Sequence, residues 1–214
     1  MISRRTMMAG LGAGLALSGC MEPPPEPPEF ADIDYGARRD GGHQIPATPM
    51  QEIPASLHRQ VVPFESDAAR GDIVILADQR VLHLVLEDGF ALRYGIGIGR
   101  IGLGWTGTAE VYSKRRWPSW TPTENMIERD PSLERWADGQ PGGPTNPLGA
   151  RALYLRTIAT GHDEGIRIHG TPEWRSIGRA ASAGCFRMIQ QEVIDLYDRV
   201  PIGTRVIVTD DSVA

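Results

Sequence analysis

A single α+β domain, mostly β, is what this sequence predicts. Short β-branched and apolar runs recur over residues 73–98, 152–169 and 204–209, bounded by Gly, Pro, Asp or Asn; strands joined by turns read this way. One stretch has a clear helical period. Val193, Leu196, Tyr197 and Val200 stand at i, i+3, i+4 and i+7, which predicts an amphipathic helix over Gln191–Arg199 packed on the sheet. The 214 residues carry no internal repeat and no second core-sized segment, as expected of one domain.

Residues 1–20 have the form of a targeting segment and stay outside the fold argument. Ser3-Arg4-Arg5-Thr6 has the twin-arginine pattern, and the apolar run from Met7 to Leu17 is too short for a comfortable membrane span. Leu17-Ser18-Gly19-Cys20 resembles a bacterial lipobox, which implies cleavage before Cys20 and a lipid on its thiol. An ordinary signal peptide and an uncleaved anchor are the other two readings. Met21, not Asp, follows Cys20, so by resemblance to enterobacterial sorting no inner-membrane retention is signalled, and either membrane stays open.

Residues 21–66 are expected to form a tether and an irregular extension. Met21 to Phe30 is a Pro-Glu run suited to a stiff polyproline-like tether. Residues 31–64 stay rich in Pro, Gly and polar side chains, and an irregular segment packing on the domain or spanning the periplasm is expected. His43 and His58 read as solvated loop histidines, since neither has a second ligand at metal spacing. The globular part is placed at 67–210 and a tail at 211–214.

Ile73–Leu76 and Val81–Leu86 flank Asp78-Gln79-Arg80 as a hairpin, and Ala91–Ile98 supplies a third strand. Gly95, Gly97 and Gly99 lack a following Gly-Lys-Ser/Thr, so a bulge or close backbone approach explains them better than a phosphate loop. The basic triplet Lys114-Arg115-Arg116 lies near three tryptophans, yet the net charge is −5. That balance argues against a nucleic-acid partner, and cationic residues facing an anionic polymer of another kind fit better. Residues 120–136 are expected to hold one or two helical turns broken by Pro131, and Gly142–Gly149 a turn-rich loop. This insertion is a candidate lid or cleft wall, with a plain surface excursion as the alternative. Ala152–Thr157 and Gly165–His169 read as two strands, His162 as a solvated turn residue, and Thr204–Thr209 as a closing strand.

The chemistry concentrates between Ile166 and Met188. His169 ends a strand, and Cys185 follows Ser182-Ala183-Gly184 in a loop also containing Gly170 and Gly178. A thiol is mostly protonated at neutral pH unless a base or positive field acts on it. His169 is the candidate general base, Arg187 a second cationic neighbour, and the backbone N–H groups around Gly184 and Cys185 a candidate oxyanion hole. Arg187 can equally be a structural guanidinium bonding loop carbonyls. The chain has two cysteines; with Cys20 lipidated, Cys185 would be an exported thiol without an intrachain partner, and its flanks do not resemble a core strand.

His169-Gly170 followed by Ser182, Gly184, Cys185 and Arg187 resembles the signature of the L,D-transpeptidase (YkuD-type) catalytic domain, with similarity from about Gly71 to Val208. The resemblance implies a β-sandwich or barrel-like sheet with a few short helices. It also implies that Cys185 is the nucleophile, His169 the base and the Gly170 carbonyl its orienting partner, with Gly184, Ser182 and Arg187 supporting the loop. The implied reaction is acyl transfer from a peptidoglycan stem tetrapeptide, releasing D-alanine, to an amine of a second stem or of an envelope protein. No metal or organic cofactor is implied. Many family members carry His where this chain has Ala183. Hydrolysis of the same thioester, as a carboxypeptidase or endopeptidase, is the alternative activity, and an inactive wall-binding lipoprotein the non-enzymatic one. A papain-like peptidase fits less well, because there the Cys precedes the His.

Overall fold

The computed structural model describes residues 25–99, 105–181 and 186–210. Among the described residues its frame is one 11-stranded sheet in the order β11 (Ala180–Ala181), β7 (Gly97–Gly99), β12 (Phe186–Met188), β10 (Arg167–Gly170), β9 (Arg151–Thr157), β8 (Gly107–Arg116), β13 (Arg205–Thr209), β4 (Ile73–Leu76), β5 (Val81–Val85), β6 (Phe90–Gly95) and β3 (Gln60–Pro63), accompanied by a separate two-stranded hairpin, β1 (Arg38–Asp40) with β2 (His43–Ile45). The mostly-β class expected from the sequence is observed. β4 (Ile73–Leu76) and β5 (Val81–Val85) form the expected hairpin, continued by β6 (Phe90–Gly95). A short β7 (Gly97–Gly99) continues the same Gly-rich run but pairs elsewhere, with β12 (Phe186–Met188) and β11 (Ala180–Ala181). A Cβ on Gly95 would stand 2.3 Å from the Leu57 carbonyl oxygen, and one on Gly97 2.4 Å from that of Ser176. Close backbone approach therefore explains those two glycines.

Burial on both faces of β4 decides how the N-terminal region behaves. Ile73 and Ile75 join one core cluster, which includes Leu82, Tyr94, Val193 and Leu196. Val74 and Leu76 point the other way, into a second cluster with Ile53, Leu57 and Ile177. A strand apolar on both faces needs a cover on each side, and residues 49–57 supply one of them through 3-10 turns at Met50–Glu52 and Ala55–Leu57. Of the two expectations for residues 31–64, packing on the domain is observed, while the segment is more ordered than expected. Within it, β3 (Gln60–Pro63) pairs antiparallel with β6 as an edge strand, ahead of the expected start of the globular part at Asp67. The physical reason is that apolar side chains spaced irregularly, such as Ile45, Ile53 and Leu57, carry no period yet are buried.

Two histidines and a lysine also depart from expectation. His58 is half-buried, with Nε2 within 3.1 Å of the Met50 carbonyl and 2.9 Å of the Ile53 carbonyl, so it ties the 3-10 turns together. His43 is also half-buried and packs on Trp117 with ring centroids 4.4 Å apart. His162 is exposed, as expected. Lys114 does not face outward to a polymer. From β8 (Gly107–Arg116) its ammonium donates to the Tyr197 and Val200 carbonyls at 2.6 and 2.5 Å, capping the C-terminus of α2 (Gln190–Arg199), where a cation opposes the helix dipole.

The insertion forms α1 (Glu124–Arg129) and a 3-10 turn at Pro131–Trp136, the two separated at Asp130. Asp130 Oδ1 accepts from the Ser132 N–H at 3.1 Å and Pro131 opens the second turn, so Pro131 divides the helical segment as expected. Asn146 fixes the loop that follows. Its buried amide donates to the Gln140 and Pro141 carbonyls at 3.2 and 3.1 Å and accepts from the Leu148 N–H at 2.9 Å.

Candidate active site

β9 (Arg151–Thr157) and β10 (Arg167–Gly170) lie antiparallel at the centre of the sheet, and β12 lies parallel to β10 with His169 opposite Arg187 and Gly170 opposite Met188. His169 and Gly170 are thus brought beside Arg187 from strands that are 16 residues or more apart in sequence (from Gly170 to Phe186). Ser182, Ala183, Gly184 and Cys185 lie outside the described residues, as do Cys20 and the targeting segment. β12 opens at Phe186, the residue after Cys185, and its neighbour across the ladder is Ile168.

His169 is buried, and its Nδ1 stands 2.7 Å from the Gly170 carbonyl oxygen. A carbonyl can only accept, so Nδ1 carries the proton and Nε2 keeps its lone pair. Burial pushes the imidazole pKa down to about 4; the Gly170 bond opposes this, while the positive charges of Arg187 and Arg167 add to the depression. The ring is therefore neutral at neutral pH. A neutral imidazole with Nε2 available can take a proton from a thiol and return it to a leaving amine. Arg187 is half-buried on β12 and provides a fixed positive charge next to this strand.

A cleft of about 670 Å³ runs past Arg187, Thr171 and Pro172 on one side and Trp120, Leu133 and Trp136 on the other. The 120–147 insertion accordingly walls a cleft and is more than a surface excursion. Thr171 is a residue that the sequence reading passes over. It follows Gly170 directly, is buried, and donates its N–H to the Met188 carbonyl at 3.0 Å, continuing the ladder by one step at the cleft. Gln190 escapes it too, since an amphipathic pattern gives no reason for a buried amide at a helix start; its Oε1 accepts from the Ala150 N–H at 2.8 Å. Among the described residues no group of His, Cys, Asp and Glu is arranged to hold a metal ion.

Comparison with known proteins agrees with this arrangement. Residues 72–208 match the model of the L,D-transpeptidase catalytic domain. A Fuscovulum blasticum protein described as a putative L,D-transpeptidase in the ATP synthase subunits region is 34% identical over 174 residues, covering 75% of this chain and 85% of that protein. The probable L,D-transpeptidase ErfK/SrfK of Escherichia coli is 33% identical over 67% of this chain, which spans only 45% of that relative's length. A crystal structure of a Brucella melitensis protein, described as a probable carnitine operon oxidoreductase, is 47% identical and superposes with a TM-score of 0.51 over 75% of this chain and 99% of that one. With His169 and Gly170 on the strand next to that of Arg187 and the family model spanning the sheet from β4 to β13, the chain belongs to the L,D-transpeptidase family and carries its catalytic domain.

Proposed function

We propose that this protein crosslinks peptidoglycan, or attaches an envelope protein to it, by cysteine acyl transfer, with Cys185 as nucleophile and His169 as base. The observation that carries this reading is the His169 tautomer: Nδ1–H is held by the Gly170 carbonyl and the ring is neutral. Nε2 takes the Cys185 proton as Sγ attacks the carbonyl carbon of the third stem residue. Collapse of the tetrahedral intermediate breaks the amide C–N bond, and the same proton goes to the departing D-alanine amine, leaving a thioester. An acceptor amine then attacks the thioester carbon and gives its proton to Nε2; the C–S bond breaks and the thiol is restored. Backbone N–H groups about Gly184 are the proposed oxyanion donors, with Ser182 and Arg187 holding their loop. The cleft walled by Trp120 and Trp136 takes the donor stem.

A lipid on Cys20 and a location on the periplasmic side of the envelope belong to the same reading. It is supported by the lipobox-like Leu17-Ser18-Gly19-Cys20 and the Pro-Glu run behind it, and among the described residues no helix is long and apolar enough to cross a membrane. Incubation with a disaccharide-tetrapeptide tests the reaction. Released D-alanine together with a stem dimer lacking one D-alanine is the expected result; D-alanine release with free tripeptide as the only other product would reassign the activity to hydrolysis. Mass analysis of the protein extracted from its native membrane tests the anchor, a diacylglyceryl-modified N-terminal Cys20 being expected and an unmodified cleaved or uncleaved N-terminus contradicting it.

A further inference from the structure

We propose that Gln190 is a positioning residue for the reaction, acting as a wedge that fixes the Gly170 carbonyl and through it the tautomer and orientation of His169. The proposal rests on the function assigned above.

The first residue of α2, Gln190, lies behind β10 and is buried. A Cβ built on Gly170 would stand 2.5 Å from Gln190 Oε1, and one built on Gly149 would stand 2.6 Å from the same oxygen and 2.7 Å from the Gly170 carbonyl carbon. No side chain fits in either place, so the amide of Gln190 fills the volume that both glycines leave. Gly149 also adopts φ +63°, a conformation open to glycine at little cost. Three backbone segments meet at this amide: the Gly149-Ala150 turn that opens β9, the end of β10, and the start of α2. Oε1 is held in place by the Ala150 N–H at 2.8 Å.

Consequences for the imidazole follow from the geometry. His169 Nδ1 donates to the carbonyl of the residue against which Gln190 is packed. Rotating the Gly170 peptide would withdraw that acceptor. An imidazole without it exchanges freely between Nδ1–H and Nε2–H forms, and the second form has no lone pair for the thiol proton. The nearest aliphatic neighbour of Gly170, Val193 Cγ1, fills space on the same side without offering a bond. Gln190 combines shape with an acceptor that locks its own position, and neither Val193 nor the two glycines can replace that.

The test uses the full mature chain and compares Gln190→Met, which keeps length and removes the amide, with Gln190→Glu, which keeps an oxygen acceptor. Leu196→Ala serves as the control, since Leu196 is a core residue six positions further along the same helix and is not among the groups packed against Gly170. Gln190→Met is expected to lower kcat for D-alanine release at least tenfold with KM within twofold, and to replace the single Nδ1–H signature of His169 in ¹⁵N NMR by a mixture of tautomers. Gln190→Glu is expected to recover most of kcat. Leu196→Ala should lower the melting temperature with kcat and tautomer unchanged. If Gln190→Met does not fold, Gln190→Ala is read in its place by the same NMR signature. An unchanged tautomer in a Gln190 variant that has lost activity, or a loss of kcat shared by Leu196→Ala, would overturn the proposal. If the wild-type chain releases no D-alanine the function reading fails instead, and the tautomer comparison still decides the role of Gln190.

Discussion

His169 combines two properties that follow from one placement. Being at the end of a central strand, it is cut off from water and so stays neutral; being next to Gly170, it has a carbonyl to fix its Nδ1 proton. Removing it should slow acylation by about 10²–10⁴-fold, the ordinary contribution of a positioned general base, and a His169→Ala rate within tenfold of wild type would point to a different base. The histidine should titrate near pH 4 in an NMR titration of the folded protein; a midpoint near 6.5 would mean that the ring is solvated. Because protonation is easier in the unfolded chain than in the folded one, His169 contributes stability that is complete above about pH 6.5 and lost as pH falls towards 4. His83, buried beneath Phe64 and also depressed to about 4 by desolvation, adds to the same acid loss.

The His169-Gly170 and Ser182-to-Arg187 segments stood out through their resemblance to the family signature, and the structure sets His169 opposite Arg187. Gln190 and Thr171 did not stand out. Both are uncharged polar residues whose significance lies in what they touch, Gly170 and the Met188 carbonyl, and side-chain contact across strands leaves no trace in spacing.

Helix α2 shows where pattern reading stops. Its apolar face, Val193, Leu196 and Val200, packs as the period requires, but its first turn, Gln190, Gln191 and Glu192, is equally buried. The N-terminal extension bonds two of those residues and one further along the helix: Tyr35 donates to Glu192 Oε1 at 2.8 Å, Thr48 donates to Gln191 Oε1 at 3.0 Å, and Arg59 donates to Asp195 at 3.0 Å. Burial raises the Glu192 pKa to about 8 against a weaker opposing pull from the Tyr35 hydroxyl and Arg59, so the folded protein holds a proton there that the unfolded chain gives up. Stability from this group is present below about pH 4.5 and falls as pH rises to 8. Glu192→Gln should therefore remove a downward slope of stability between pH 5 and 8 in urea titrations, and a slope identical to wild type would show that Glu192 is ionised when folded.

The hairpin β1–β2 is attached to the sheet by a second buried contact. Arg151, almost wholly buried on β9, makes a bidentate pair with Asp40, both bonds 2.8 Å, and the Trp117 indole donates to the same carboxylate at 2.8 Å. The Arg151 bond holds the Asp40 carboxyl below its usual range. Deleting one partner leaves a buried guanidinium uncompensated, so Asp40→Ala should cost about 3–5 kcal/mol in denaturant titration. A loss below ~1 kcal/mol, the scale of an exposed pair, would indicate that water reaches Arg151.

At the scale of the whole molecule, the extension before Asp67 is part of the fold. β3 closes the β6 edge, Ile53 and Leu57 cover the second face of β4 and β5, and Tyr35 and Thr48 satisfy the start of α2. A chain beginning at Asp67 should aggregate or melt far below one beginning at Pro25, because it exposes both an unpaired strand edge and an apolar face; equal melting temperatures would show the extension to be dispensable. The central hairpin and closing strand were readable as β-branched apolar runs bounded by turn residues, and the C-terminal helix by its period. The cover was not, because its buried residues come singly among Pro and Gly and are defined only by the strands they shelter.

The most direct test of the whole account is intact-mass and peptide mapping of the protein after brief exposure to a disaccharide-tetrapeptide, for wild type and for His169→Ala. The account predicts a wild-type adduct equal to the donor minus D-alanine, mapped to Cys185, and almost none in His169→Ala over the same interval. An adduct on any other residue, equal labelling in the two proteins, or no adduct and no D-alanine release with a thiol shown to be free would contradict it.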